Sequence, residues 1–497
     1  RFLARALGVE DRNVCWDARA RTVTLGPPGS PAVEFTVGSA RYRILPQGGR
    51  PETRAMDTAP VLKGGRVYLP ARYPAEALGW GVWWDEKARK VTLVKWEPEL
   101  TSLFQERLAE PFYWVAYNPT AYDPETGVWP DEASIREDLA LLRRAGFKGV
   151  ITYGLNAALA EVPRLAKEAG FEAVIAGIWD VKNLEELLAA KKAAPYADAF
   201  CVGNEGLLTR RYSLDELLTT MEQVRRETGK PVTTSEPVAF YFRQNALPRL
   251  GDFLLPIVHP FWAGVKEPRA AAKFTADTWA KLSELSGRAV LCKETGLPSA
   301  GAEGLSEEAQ LEFYRHLSAT GTAFTWFEAF DQTWKVSRPW KKRLPVETHW
   351  GFFGAQRQPK VVGQWLLERA GSRKEAATEP TVVISSLRNG QQVPWYTVVD
   401  GLWAGPAGSH VYLLIWPVDP RYGIEGPWWV QETRTFSDGT WTASAYFGED
   451  PQTHPEHSGT RFRVMAVLTR EALTPGATFT ALPSQWTRSE TVEVIRQ

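Results

Sequence analysis

The stretch AVLCKETGLPS, Ala289 to Ser299, decides how the middle of this chain is read. An apolar run, Ala289 to Cys292, ends on a carboxylate, Glu294, and Gly296 and Pro298 then break the backbone. A strand stops there and presents an acid. Upstream, AFCVGNEG does the same, with Ala199 to Val202 giving way to Gly203, Asn204 and Glu205. Either acid alone is uninformative, because most acids are solvated surface and a Glu after a strand can merely open a helix. Two of them, each at the carboxyl end of a short buried strand, point to an active site.

Working outward, the chain alternates strand-like and helix-like segments. Strand candidates are FYWVAYNP (112–119), GVITYG (149–154), FEAVIAGIW (171–179), AFCVGNE (199–205), PVTTSEP (231–237), FLLPIVHPFW (253–262), AVLCKETG (289–296) and TAFTWFEAFDQTWK (322–335). They are continuous apolar runs, as a parallel sheet covered by helices requires. Amphipathic stretches lie between them: Pro130-Asp131 opens one that Gly146 closes, and Ser213 with Glu216 makes a capping-box pattern before a helix closed by Gly229. Eight such candidates at about thirty residues apiece predict an α/β fold, a (β/α)8 TIM barrel. Catalytic residues of that fold sit where the strands end and the loops converge. Glu205 and Glu294 stand about three strand-helix units apart, so they face each other across the mouth. A separation of roughly 5 to 5.5 Å would suit a retaining glycosidase. Tyr117, Asn118, Tyr153, Trp179, Phe261 and Trp262 fall at strand ends and are candidates for lining the pocket, some of them as packing only. Glu236, Glu328 and Asp331 are further carboxylates near the rim, placed to hold hydroxyls, and Glu236 is the one most easily mistaken for a catalytic acid. Strand alternation predicts that Lys293 points away from Glu294.

The motifs CVGNE (201–205), ETGLPSAG (294–301), FTWFEAFDQTWK (324–335) and HWGFF (349–353), in that order, resemble those of glycoside hydrolase family 17. The resemblance runs from about Phe112 to Lys360. It implies a retaining TIM-barrel enzyme acting mainly on β-1,3-glucan, with Glu205 as general acid/base, Glu294 as nucleophile and Asn204 bound to the sugar 2-hydroxyl. Two positions depart. Leu297 stands where many members have Trp, which would thin one aromatic wall, and His259 stands where plant members carry Tyr before Pro. His259 is either a contact to substrate or nucleophile, or a satisfied barrel-mouth histidine. The mechanism requires Glu205 protonated and Glu294 ionised, so their surroundings must separate their pKa values. It calls for no metal and no cofactor. A transglycosylase uses the same covalent intermediate, and a non-catalytic wall protein that binds glycan is the rival outside enzymes; the presence of both Glu and the Asn weighs against the latter.

The first ninety or so residues contain a repeat. RFLARALGV and VCWDARARTVTL (1–25) return as ARYPAEALGW and VWWDEKARKVTL (71–93), with Trp16-Asp17 matching Trp84-Asp85. Each copy reads as a short helix ended by Gly and a two-stranded piece turning at Trp-Asp, with GGRVYLP a strand between them. This segment resembles the copper amine oxidase N-terminal-like, or stalk, domain of exported Gram-positive proteins, and reads as a spacer or wall-associating unit, alternatively as a sugar binder. The segment contains no His, so no metal site is expected. Residue 1 already falls inside the pattern, so further chain is expected before it. After the barrel, a helix (361–370) and a polar linker, GSRKEAATEP (371–380), lead to short alternating runs with Asp-Gly and Gly-Pro turns, VYLLIWP, WWVQETRTF, TWTASAYFG and FRVMAVLTRE, which read as a β-sandwich. Its Trp395, Trp403, Trp428, Trp429 and Trp441 either form a sugar-stacking platform or fill a small core. The expected division is 1–96, 97–375 and 380–497.

Composition bounds the partners. Lys plus Arg and Asp plus Glu are 58 each in 497 residues, so no net field selects nucleic acid or an anionic membrane. Twenty-two Trp suit both a sugar-stacking surface and an ordinary core. Three Cys cannot make a disulfide framework, and no apolar run reaches the roughly twenty residues of a membrane span. The expected partner is a β-glucan or related polysaccharide, met by a secreted or wall-associated monomer whose flanking domains mediate wall association.

Overall fold

The computed structural model describes residues 2–110, 112–336, 344–372, 380–436 and 439–497. Seven of the eight strand candidates form one parallel sheet: β1 (Trp114–Ala116), β2 (Gly149–Ile151), β3 (Ala173–Ile178), β4 (Ala199–Asn204), β5 (Val232–Ser235), β6 (Cys292–Thr295) and β7 (Phe324–Trp326), in the order β5-β4-β3-β2-β1-β7-β6. Every residue of these strands is buried, as both faces of a helix-covered parallel sheet must be. The sheet curls in TIM-like fashion.

The remaining candidate, 253–262, is not a regular strand. Pro256 has no N–H to give to a ladder, so pairing is reduced to isolated bridges, Pro237 to Ile257, Leu254 to Val290 and Ile257 to Glu294. It still joins the edges of the sheet. On the β5 side Ile257 N–H donates to Glu236 O at 3.0 Å, and on the β6 side Val258 N–H donates to Glu294 O at 2.8 Å.

Side chains sort by strand alternation. Trp114, Ile151, Ile175, Cys201, Leu255 and Leu291 share the inner core with Phe104 and Leu108. The latter two come from helix Ser102–Ala109, capped by the Thr101 hydroxyl, and Phe104 sets its edge against Trp114 and Phe253. That helix plugs the end of the barrel opposite the acids. Alternate residues, Val115, Val150, Val174, Cys292 and Phe324, pack outward with the helices. The expected caps are present: Asp131 begins helix Glu132–Arg144, and Ser213 with Glu216 forms a full capping box ahead of helix Leu214–Thr228, ended by Gly229 at φ +67°.

The repeat is visible in three dimensions. Helices Phe2–Ala6 and Arg72–Ala77 precede hairpins 14–17/22–25 and 81–85/90–94, and residues of both copies share one core, including Ala4, Leu25, Ala75 and Leu93. Beyond the barrel, sheets of four and eight strands pack over a common core of Val399, Trp441, Leu413 and Val464. WWVQETRTF, read as one run, is two strands: Trp428–Val430 joins the larger sheet and Glu432–Thr435 the smaller. The linker expected at 371–380 lies mostly outside the described residues. Among the described residues no helix is long and apolar enough to cross a membrane.

Asp252 ties three segments together. One oxygen accepts from Val232 N–H on β5 at 2.7 Å, and the other from Trp96 Nε1 at 3.2 Å and Glu99 N–H at 2.8 Å, with Arg225 at 3.3 Å. Asp252→Ala leaves the Val232, Trp96 and Glu99 donors without their acceptor, while Arg225 keeps its ion pair with Glu99, so urea unfolding should show a loss of about 3 kcal/mol.

Candidate active site

Both acid-bearing strands lose their regular register beside the acid. The β4–β5 pairing shifts between Cys201 and Asn204, and the β6–β7 pairing between Cys292 and Thr295. Such irregularities re-aim side chains, and here they turn residues at two strand ends toward one mouth.

Glu205 sits in the left-handed region, φ +53°, a conformation costing a non-Gly residue on the order of 1 kcal/mol. Its neighbours hold it there. Glu205 N–H donates to Ser235 O at 2.9 Å, while the Thr209 hydroxyl and N–H donate to Glu205 O at 2.6 and 3.0 Å. The Tyr212 ring packs beneath this turn, where a Cβ on Gly203 or Gly206 would collide with it, which accounts for both glycines of CVGNEG. Arg211 bonds the carbonyls of Asn204 and Trp179 and lies 4.4 Å above the Trp179 ring.

Glu294 is 8% exposed. His259 Nε2 stands 3.5 Å from its Oε2, and the imidazole packs against Trp350 (4.7 Å between centroids) and Phe327 (5.0 Å). Burial pushes the Glu294 carboxyl up, but the His259 contact and the charges of Lys293, His259 and Lys335 outweigh it and hold the group below its ordinary value. Lys293 does not turn away from the site as alternation predicted. It follows Leu291 onto the inner side, where its Nζ donates to Asn204 Oδ1 at 2.5 Å and lies 4.3 Å from the Tyr153 ring; the register shift brings Glu294 into the same mouth.

Tyr153 lies among carboxylates. Burial pushes its hydroxyl well up, and the charges of Glu294, Glu328 and Glu205 add to the rise. Its oxygen faces Glu294 without meeting hydrogen-bond geometry; among the described residues, the Tyr153 hydroxyl, His259 Nδ1 and Glu328 Oε2 are all buried without a hydrogen-bond partner. Glu328 Oε1 accepts from Lys335 Nζ at 2.6 Å. Phe261 and the half-exposed Trp262 lie near Trp350, at 6.1 and 6.4 Å.

Thus the mouth gathers Tyr153, Asn204, Glu205, His259, Glu294, Glu328, Phe261 and Trp262, with Trp179 on its rim. Three candidates are otherwise engaged. Glu236 is fully buried, and its oxygens accept from Leu207 and Leu208 N–H at 2.8 and 3.3 Å, so it braces the Glu205 turn instead of standing at the rim. The Tyr117 hydroxyl donates to Asp138 at 2.9 Å, and Asp331 accepts from Lys360 at 2.7 Å and from Gly351 N–H at 2.9 Å; the backbone carbonyl of Asn118 accepts from Gln332 at 3.2 Å. Leu297 is fully buried and belongs to the barrel core. Lys293, Lys335, Phe327 and Trp350 belong to the site although sequence reasoning does not place them there. A lysine inside the apolar run of a strand is the available signal, since Lys is rarely buried without a partner.

The BtgE/BtgC glycoside hydrolase domain matches residues 115–351, and the copper amine oxidase N-terminal domain matches residues 1–93. A glucan 1,3-beta-glucosidase of Arthroderma benhamiae is 30% identical over 269 residues, 47% of this chain and 85% of that protein. The chain belongs to the BtgE/BtgC glycoside hydrolase family. A probable beta-glucosidase, btgE of Aspergillus clavatus, is 27% identical over 252 residues, and the chain spans only 44% of that relative's length. An exo-beta-1,4-mannosidase from an Opitutaceae bacterium overlaps at 14% identity, 57% of this chain and 61% of that one, with a TM-score of 0.38, too low to bear on this BtgE/BtgC-type barrel. Copper, implied by the name of the N-terminal match, does not fit the residues present: that segment has no His and one Cys, exposed.

Burial pushes Glu186, Glu236 and Glu328 each up to about 7. Between the ordinary Glu value near 4.3 and about 7 the native state therefore keeps protons that the unfolded chain has released. Stability should fall as pH rises through that window, by roughly 1.4 kcal/mol per pH unit for each group. The depressed Glu294 acts oppositely and below this window. Thermal melts from pH 4.5 to 7.5 should show the decline, and Glu328→Gln should make it shallower; an unchanged slope in that variant contradicts the assignment.

Proposed function

We propose that this chain is a retaining hydrolase of β-1,3-linked glucan, working by double displacement in the manner of glycoside hydrolase family 17. One observation carries the reading: two glutamates at the ends of β4 and β6 face one mouth in unlike surroundings, Glu294 buried beside His259 with Lys293 and Lys335 acting on it, Glu205 half-buried on a braced turn. Glu294, ionised, attacks the anomeric carbon and forms a glycosyl-enzyme. Glu205 protonates the departing oxygen, then takes the proton from the water that resolves the intermediate. Asn204 presents its amide beside them for the sugar 2-hydroxyl. Phe261 and Trp262 offer faces to the apolar side of a sugar ring, and the Tyr153 hydroxyl, His259 Nδ1 and Glu328 Oε2, unpartnered among the described residues, offer places for hydroxyls. The names of the relatives, a glucan 1,3-beta-glucosidase and a probable beta-glucosidase, support β-glucan as the substrate, and a polymer of that kind implies an enzyme exported to meet it.

Proton NMR of a laminarin digest tests the mechanism: the first reducing end to appear should be the β-anomer, and the α-anomer would refute retention. Products longer than the donor would mark transfer to sugar in place of water. Glu294→Gln and Glu205→Gln should each fold normally and lower kcat by about 10²-fold or more.

A further inference from the structure

We propose that Lys293 is a positioning residue of this site: its buried ammonium, held between Asn204 Oδ1 and the Tyr153 face, fixes the Asn204 amide with its NH2 toward the sugar and serves as the resident counter-charge of Glu294. The inference deepens the glycosidase reading and rests on it for the role of Asn204.

The geometry begins with burial. Lys293 is 1% exposed, and an ammonium that far from water must be paired. Its Nζ lies 2.5 Å from Asn204 Oδ1 and 4.3 Å from the Tyr153 ring centroid. An ammonium has donors only, so the atom of Asn204 facing it is the oxygen, and the amide is not free to flip. The NH2 is thereby left as the end available to a sugar oxygen, and the residue next in sequence is the acid Glu205.

The same ammonium acts on Glu294. The groups around that carboxylate are Lys293 from its own strand, His259 from the segment after β5, Lys335 and Glu328 from beyond β7, Tyr153 after β2, Glu205 after β4 and the buried thiol of Cys201 on β4. Among the cations, Lys335 is hydrogen-bonded to Glu328 and His259 contributes full charge only when protonated. Lys293 donates to a neutral partner, Asn204, and no ion pair engages it among the described residues, so its charge acts on Glu294 and on the Cys201 thiol.

The test uses the full chain and two variants. Lys293→Met removes charge and donor, whereas Lys293→Gln removes the charge and keeps a donor for Asn204. Carbodiimide with an amine labels protonated carboxyls, so the pH at which Glu294 loses reactivity, followed by peptide mass spectrometry with Glu294→Gln as control, reports its ionisation without any substrate. That midpoint should rise by about one pH unit or more in both variants. On laminarin, kcat/KM at neutral pH should fall by about tenfold or more in Lys293→Met, and less in Lys293→Gln. A wild-type midpoint in either folded variant overturns the proposal, as does equal loss of kcat/KM in both. Should Lys293→Met fail to fold, Lys293→Gln decides by its midpoint alone. A wild-type enzyme inert on laminarin would refute the glucanase reading while leaving the labelling midpoint to judge the counter-charge.

Discussion

A carboxylate buried without a counter-charge gives up its charge, and the barrel mouth is arranged around preventing that at Glu294. Its ionisation depends on three side chains from three places, His259, Lys293 and Lys335, and each of these is fixed in turn by a further group. Trp350 and Phe327 pack His259, Asn204 and Tyr153 hold Lys293, and Glu328 holds Lys335. The contrast with Glu328 shows what the arrangement achieves. Both are buried carboxyls near ammonium groups, yet Glu328 is pushed up to about 7, with the charges of Asp331 and Glu294 adding to the rise. Burial pushes both acids up, and the charges that face each one decide the direction of the net shift, down for Glu294 and up for Glu328.

The two catalytic candidates are positioned by different physics. Glu294 is held through electrostatics on a strand whose backbone is bonded on both sides, to the 252–258 segment and to β7. Glu205 is held through backbone conformation, a left-handed residue on a turn braced by Thr209, Tyr212 and Glu236. A group that attacks carbon needs a fixed charge. A group that donates and later accepts a proton needs a fixed place and access to water, which its half-buried position allows.

Much of the fold was legible because its determinants are local. Continuous apolar runs, the capping box at Ser213 and the Gly stops predict strands and helices within a few residues of where they stand. The 253–262 segment reads too regularly because its apolar character outweighs Pro256, although proline's missing N–H interrupts the ladder. The acids were legible as strand ends. Their supporting residues were less so, because an inward lysine, or a glutamate such as Glu236 that braces a turn, is defined by what lies opposite across the barrel, and sequence spacing carries little of that. Lys293 is the instructive case: it keeps to the inner side as alternation from Leu291 requires, and the register irregularity between Cys292 and Thr295 brings Glu294 into the same mouth.

The abundance of tryptophan, ambiguous in composition, divides cleanly in space. Trp114, Trp326, Trp350 and Trp441 are almost wholly buried, the first two in barrel strands and the last between the C-terminal sheets; Trp403 and Trp428 pack against cores there while Trp429 stands outside. Trp395 lies apart from these, against Tyr446 and Arg269, so the five C-terminal tryptophans do not make one platform. The N-terminal repeat behaves differently. In each copy the Asp of the Trp-Asp pair has a structural role, since Asp17 accepts from Arg19 and Ala20 N–H and Asp85 from Ala88 N–H, closing the hairpin turn. The Trp beside it does not pack: Trp16 and Trp84 are 44% and 49% exposed. Core packing explains why an aromatic recurs at a buried position, but here the recurrence is at an outward one, so what the duplicated unit retains is a turn-forming carboxylate next to an aromatic face turned to solvent.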